Sequence, residues 1–154
     1  MRLLGIDVGE RRIGLALSDP SGTLASPLHV LTISGPLEAR VDAIAHEVDR
    51  FAREADGLAG VVVGLPTALD GRRHAQTDRV TAFVEALRHR TPLPVTVQDE
   101  RLTSREAESR LAVREKNWRR RKTRLDAAAA AIILQDYLDQ HRGQDPGGRN
   151  QESA

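Results

Sequence analysis

The chain has no cysteine at all. Disulfides, thiolate nucleophiles and cysteine-based zinc sites are therefore excluded. Aromatic residues make up only 3% of its 154 residues, against 40% hydrophobic overall, so the core must be built from Leu, Val, Ile and Ala. No apolar run approaches the roughly 18 residues that a membrane span needs. No charged-then-apolar leader precedes the first strand-like segment, and a cytoplasmic location with no membrane partner is expected. A charge excess of one sign is missing too, because 23 basic and 22 acidic residues leave a formal net charge of +1. Global charge thus says nothing about partners, and only its distribution can. The chemistry-bearing motifs that are absent narrow the function further. There is no His-Glu-x-x-His pair, no Gly-x-Ser-x-Gly turn, no Walker loop and no Gly-x-Gly-x-x-Gly fingerprint, and the five histidines are scattered. A chain of this length is one domain by the usual prior and can bury roughly 68–70% of its unfolded surface.

What is present begins with Met1-Arg-Leu-Leu-Gly-Ile-Asp7-Val-Gly9. In a strand, Leu4, Ile6 and Val8 share one face, and Leu3, Gly5 and Asp7 the other. A carboxylate inside an apolar strand is costly to bury unless something positive repays its desolvation. Two accounts fit: metal or phosphate chemistry at the strand end, or a pairing with Arg11 or Arg12 that serves only the turn. Ile13–Leu17 returns as a second strand, and Pro27–Ile33 follows as a third after the turn signal Asp19-Pro-Ser-Gly22. Apolar residues at Leu37, Val41, Ile44, Ala45, Val48, Phe51 and Ala52 recur at helical spacing. Leu58–Val63 reads as a strand covered on both faces. A helix is predicted over about Gln76–Arg90 with Val80, Phe83, Val84 and Leu87 inward, then a strand over Pro94–Gln98. Ser104 is predicted to cap a helix to about Arg114. After a basic loop, a last helix runs from about Leu125 to Gln140, and the Gly-, Pro- and polar-rich residues 141–154 are expected to be a disordered tail beyond a domain spanning 1–140.

The order β-β-β-α-β-α-β-α-α predicts an α/β fold: a mixed five-stranded sheet, three antiparallel strands continued by parallel crossovers, with helices on both faces. Ligands of such sheets collect outside strand ends. Asp7 lies at one such end and Asp99-Glu100 directly after another, and the two ends are expected side by side. The alanine run after Asp126 lets the last helix lie close to the sheet and bring Asp126 to the same place. Simpler accounts remain for each: Glu100 pairing with Arg101 or Arg105, and Asp126 complementing a helix dipole in a first turn, worth about 0.3–1 kcal/mol. Together the three form an oxygen-rich set suited to Mg²⁺ or Mn²⁺. Two-metal sites place such cations about 3.5–4 Å apart, where they activate water and stabilise a leaving oxygen in phosphodiester cleavage. The segment Arg114–Arg124 holds seven basic residues, one acidic residue and the chain's one tryptophan, Trp118. It is either a phosphate-binding surface with a stacking indole or a solvated loop.

The motifs Gly5-Ile-Asp-Val-Gly9 with Arg12-Ile-Gly-Leu-Ala16, Val63-Gly-Leu-Pro-Thr-Ala-Leu-Asp-Gly71, Asp99-Glu-Arg-Leu-Thr-Ser104, and Leu125-Asp-Ala-x-Ala-Ala followed by Ile132-Ile-Leu-Gln-Asp-Tyr-Leu138 resemble the YqgF/RuvX family of ribonuclease H-like bacterial proteins. The resemblance covers about residues 1–140. It implies a ribonuclease H-like sheet and Asp7, Glu100 and Asp126 as catalytic metal ligands. It also implies a metal-dependent endonuclease acting on structured nucleic acid, leaving 5′-phosphate and 3′-hydroxyl ends, in Holliday junction resolution or precursor 16S rRNA processing. Arg12, Arg101, Arg119, Arg120, Arg121 and Lys122 would then hold phosphates, Thr103 and Ser104 would bond one from a helix N-terminus, and Trp118 would stack on a base. Family members often carry Asn where this chain has Ala68, while Asp70 and Gly71 are kept. A homodimer would suit branched DNA, and a monomer would suffice for an rRNA precursor. A non-catalytic RNA-binding role in ribosome maturation is the competing class. Phosphoryl transfer of the actin and sugar-kinase kind would need a second lobe that one domain of this length does not supply.

Overall fold

The computed structural model describes residues 1–66, 75–99 and 118–141, with side chains from Ala127 onward in the last of these segments. Five strands form one sheet. They are β1 (Arg2–Val8), β2 (Arg12–Ser18), β3 (Ala25–Thr32), β4 (Leu58–Leu65) and β5 (Val95–Asp99). Among the described residues three helices accompany them: α1 (Leu37–Ala52), α2 (Ala75–Arg88) and α3 (Trp118–Gln140). The strand order is β3-β2-β1-β4-β5, antiparallel among β1, β2 and β3 and parallel across β1, β4 and β5. This is the expected mixed sheet with helices on both faces. The expected helix from Ser104, the Gly64–Gly71 loop beyond Pro66 with Ala68, and residues 142–154 lie outside the described residues. His141 directly follows α3, and its ring stacks on Tyr137 with centroids 4.1 Å apart.

Strand alternation decides the two faces. Leu4, Ile6, Val8, Ile13, Leu15, Val61, Val63 and Val95 point to one side, where α1 supplies Val41, Ile44, Val48 and Phe51, and α2 supplies Val80, Phe83, Val84 and Leu87. The helical stripes work as their spacing predicts, except that Leu37 and Ala52 at the ends of α1 are exposed. On the other side, Ala16 and Val62 meet Ala130, Ala131, Ile133, Leu134 and Leu138 of α3. Here the approach is close. A Cβ placed on Gly5 would lie 2.8 Å from the Leu134 Cβ and 3.1 Å from the Ala130 carbonyl oxygen, so the absent side chain lets α3 sit on β1. Gln135 fixes the helix further along, its Oε1 accepting from the Ala25 amide at 2.9 Å and its Nε2 donating to the Thr23 carbonyl at 3.0 Å.

The turns follow from local chemistry. Asp19 Oδ1 accepts from the amides of Thr23 and Leu24 at 2.8 and 2.9 Å, and Ser21 Oγ donates to Oδ2. These bonds to the charged form, with the Leu24 amide foremost, hold the Asp19 carboxyl down to about 2. In the outer strand β3, Pro27 opposes Ala16 while His29 opposes Leu15, so the ladder slips by one residue between them. That is a bulge next to a residue with no amide hydrogen to donate.

Candidate active site

Asp7 is the second-to-last residue of β1, half-buried, and paired across the ladder with Gly14 of β2. On its other side the parallel register runs Gly5 to Val62 and Ile6 to Val63, which brings Gly64 beside Asp7. Gly64 in turn pairs with Gln98 of β5. One cross-sheet row therefore reads Gly14, Asp7, Gly64, Gln98, all on the side that α3 covers. Neither neighbour of Asp7 brings a side chain to this row. Gln98 does, and it is 9% exposed.

The expectation that the ends of β1 and β5 stand side by side needs correction. Strand β4 lies between them. Two inter-strand steps of about 4.8 Å separate the two backbones, and Gly64 is what stands in the gap. The alternation along β5 also separates two neighbouring carboxylates. Val95, on the α1–α2 side, fixes Val97 and Asp99 to that side as well, and leaves Thr96 and Gln98 facing α3. Asp99 thus stands on the opposite side from Asp7. Glu100, Arg101, Thr103 and Ser104 lie outside the described residues.

The direction of α3 places its start. Gln135 sits on the row of Ala25, Ser18 and Leu3, whereas Ala130 and Leu134 sit over Gly5. Residue numbers in α3 therefore fall as those in β1 rise, and the helix runs against the strand. Asp126 is one turn before Ala130, in the direction in which Asp7 lies from Gly5. From Ala130 back to Trp118 the helix extends about 18 Å, whereas Gly5 to Asp7 spans only about 7 Å. The start of α3 overhangs the sheet edge where β1, β4 and β5 end.

This corrects two expectations. Trp118, Arg119, Arg120, Arg121 and Lys122 do not form a loop ahead of the last helix but are its first residues. Arg and Lys are good helix formers and no Gly or Pro interrupts them, so a run of charge here did not mean irregular backbone. Asp126 consequently lies in the third turn, where the dipole effect has faded, and the account of Asp126 as a dipole partner falls away. The turn after β1 carries a backbone bond of its own, the Gly9 amide donating to the Arg12 carbonyl at 2.8 Å. A Cβ on Gly9 would lie 2.7 Å from that same oxygen, so only glycine fits there. Of the three expected carboxylates, Asp7 alone has a described side chain, and among the described residues no group of three potential ligands forms a metal site.

Comparison with known proteins decides the family. The family model for RuvX, described as Holliday junction resolvase, matches residues 1–140. The chain belongs to the RuvX family. A provisionally named pre-16S rRNA nuclease of Desulforudis audaxviator is 41% identical over 150 residues, covering 97% of this chain and 99% of its own. Another of that name from Pelotomaculum thermopropionicum is 38% identical over 155 residues, covering 96% and 97%. Among solved structures, RuvC of Thermus thermophilus aligns with a TM-score of 0.53 at 20% identity, covering 93% of this chain and 97% of RuvC. The fowlpox virus Holliday junction resolvase aligns with a TM-score of 0.54 at 9% identity, covering 91% and 99%. These two likenesses speak for the fold, which is that of ribonuclease H-like resolvases. RuvX membership makes this chain a nuclease-family protein, and no helix among the described residues is long and apolar enough to cross a membrane.

Proposed function

We propose that this RuvX member is a divalent-metal-dependent endonuclease that trims a precursor of 16S rRNA. The observation that carries the chemistry is the row Gly14–Asp7–Gly64–Gln98, a carboxylate held half-buried between two residues without side chains. A strand that spends an aspartate there, beneath a helix whose start overhangs the same edge, is built for a ligand rather than for packing. Asp7, Glu100 and Asp126 would hold Mg²⁺ or Mn²⁺, in a two-metal arrangement. Their donors are all carboxylate oxygens, the set that hard cations take. Asp99 stands on the opposite side of the sheet from Asp7, which favours its sequence neighbour Glu100 as the ligand. The bound cation would activate water and neutralise charge on the scissile phosphate.

The residues of the chain do the rest. Arg12 opens β2 beside the site, and Arg101, Thr103 and Ser104 follow β5. The cations Arg119 to Lys122 sit on the positive end of the α3 dipole, with no acidic residue in the first turn. Helices ordinarily avoid that arrangement, and nucleic-acid phosphate resolves it, with Trp118 adjacent for stacking. The full-length likeness to pre-16S rRNA nucleases favours the rRNA precursor as substrate. Holliday junction cleavage, which the family description names, is the second reading and would call for two copies of the chain around one junction. Catalysis separates both from a non-catalytic RNA-binding role.

The test is cleavage of matched precursor-rRNA and four-way DNA substrates in Mn²⁺ and in EDTA by wild type and Asp7→Asn. The wild type is expected to cut the rRNA in Mn²⁺ only. Asp7→Asn is expected to stay folded, to melt no lower than wild type because one negative charge has left the carboxylate set, and to lose cleavage. Near-normal Mn²⁺-dependent cutting by Asp7→Asn would remove Asp7 from the mechanism.

A further inference from the structure

The turn between β1 and β2 is held by three side chains that come from the far side of the sheet. Arg40 of α1 donates through Nη2 to the Gly9 carbonyl. Gln76 of α2 donates through Nε2 to the Val8 carbonyl at 3.4 Å, and Arg79, one turn along α2, donates to Glu10 Oε2 at 3.3 Å and to Gln76 Oε1 at 3.1 Å. Two guanidinium groups from separate helices are therefore tied to adjacent residues of a turn that begins two residues after Asp7, close enough for the charge of one to be felt by the other. Their charges are alike, and each is imperfectly answered. Arg40 is half-buried, its Nε is buried without a hydrogen-bond partner, and no carboxylate pairs with it among the described residues. Burial, and then the charge of Arg79, make its proton less tightly held than an ordinary arginine's. Among the described residues Arg79 has Glu10 as its one counter-ion, and Glu10 is 72% exposed, on a flexible stem in water where such a pair counts for little.

We propose that Arg40 and Arg79 form a phosphate clamp at the β1–β2 turn that grips the nucleic-acid backbone beside the Asp7 row. Arginine's planar fork suits bidentate contact with a phosphate oxygen pair. An anion between the two cations relieves their repulsion, which no single residue of the turn does. Glu10 is the competitor that occupies Arg79 when no nucleic acid is bound. The clamp rests on the nuclease reading for its position next to the reacting phosphate, but binding can be measured without cleavage. It lies across the sheet edge from the cationic start of α3, so a strand laid over Asp7 would be held on both sides.

The probe is a short fluorescent single-stranded RNA titrated in EDTA at several salt concentrations. Each phosphate contact contributes about 0.7–0.9 to the slope of log affinity against log salt. Arg79→Ala is expected to lower the slope by about that amount, and Arg40→Met with Arg79→Ala by about twice it. Glu10→Gln is expected to act in the opposite direction and tighten binding, an effect that a purely structural clamp does not produce. Should Arg40→Met fail to fold, Arg79→Ala and Glu10→Gln, both at exposed positions, decide the matter. An unchanged slope in folded Arg79→Ala, or no tightening in Glu10→Gln, overturns the clamp. Wild type that binds the RNA yet cuts nothing in Mn²⁺ sinks the nuclease reading and leaves the clamp standing. Wild type that does not bind at all overturns both.

Discussion

The two faces of the sheet are built from different residues for different ends. Toward α1 and α2 the strands send Leu, Ile and Val, and the helices answer with Phe51, Phe83, Ile44 and Leu87, all buried. Toward α3 they send Gly5, Gly14, Ala16 and Gly64 beside Val62, and the helix answers with Ala130 and Ala131 as well as Ile133, Leu134 and Leu138. Large side chains on the first face bury the area that stabilises the fold. Small ones on the second give up that area, bring the helix axis close, and leave a row on which polar groups can stand. The large apolar groups are concentrated on one side and the proposed site on the other, and substitutions should separate the two.

The largest stability effect is expected on the first face. Phe83→Ala removes a side chain that is 1% exposed and should cost about 3–5 kcal/mol, read as a lowered denaturation midpoint, while kcat of the folded fraction at low temperature stays near wild type. A comparable drop in kcat would mean that the faces are not independent. Gly5→Ala on the second face should cost less, about 1–3 kcal/mol for overpacking, yet disturb cleavage more. The new methyl meets Leu134 at its Cβ and the Ala130 backbone, so α3 must move, and Asp126 moves with it. Normal kcat with a lowered midpoint would show that the site tolerates displacement of α3. The smallest effect belongs to neither face. The Asp19 carboxyl, lowered from 3.8 to about 2, stabilises the folded state in full above its unfolded value of 3.8. That contribution disappears as pH falls through about 2. Asp19→Asn should therefore lower the melting temperature slightly at neutral pH and flatten the acid end of its pH dependence. An unaltered acid limb would mean that the turn does not depend on the charge.

The two faces were legible in the sequence to different degrees. Alternation at Leu4, Ile6 and Val8 and the spacing from Val41 to Phe51 announce the first face directly, because burying large apolar groups imposes a period that can be counted. Asp7 was visible because it violates that pattern. The second face left fainter marks. Gly5 reads as an ordinary strand glycine until α3 is seen over it, and Gly64 becomes neighbour to Asp7 only once β4 is known to separate β1 from β5. Strand order is a long-range property that no local period encodes. The start of α3 is hidden in the sequence because a run of like charge reads as a solvated loop although Arg and Lys are good helix formers. Arg40 and Arg79 gave no signal, since an arginine on the polar side of a helix looks the same whether it faces water or a turn.

Pro27 and the slipped ladder beside it have a consequence for the company the molecule keeps. Strand β3 is an outer strand, and an outer strand with a regular row of free amides and carbonyls is a template for a second copy to add to. Proline has no amide hydrogen to donate and the bulge puts its neighbours out of step, while β5 at the opposite margin is described over five residues. Among the described residues neither margin offers the long, flat ladder on which strands of separate molecules zip together. The edge of β3 is thereby a poor place for a second copy of the chain to add a strand.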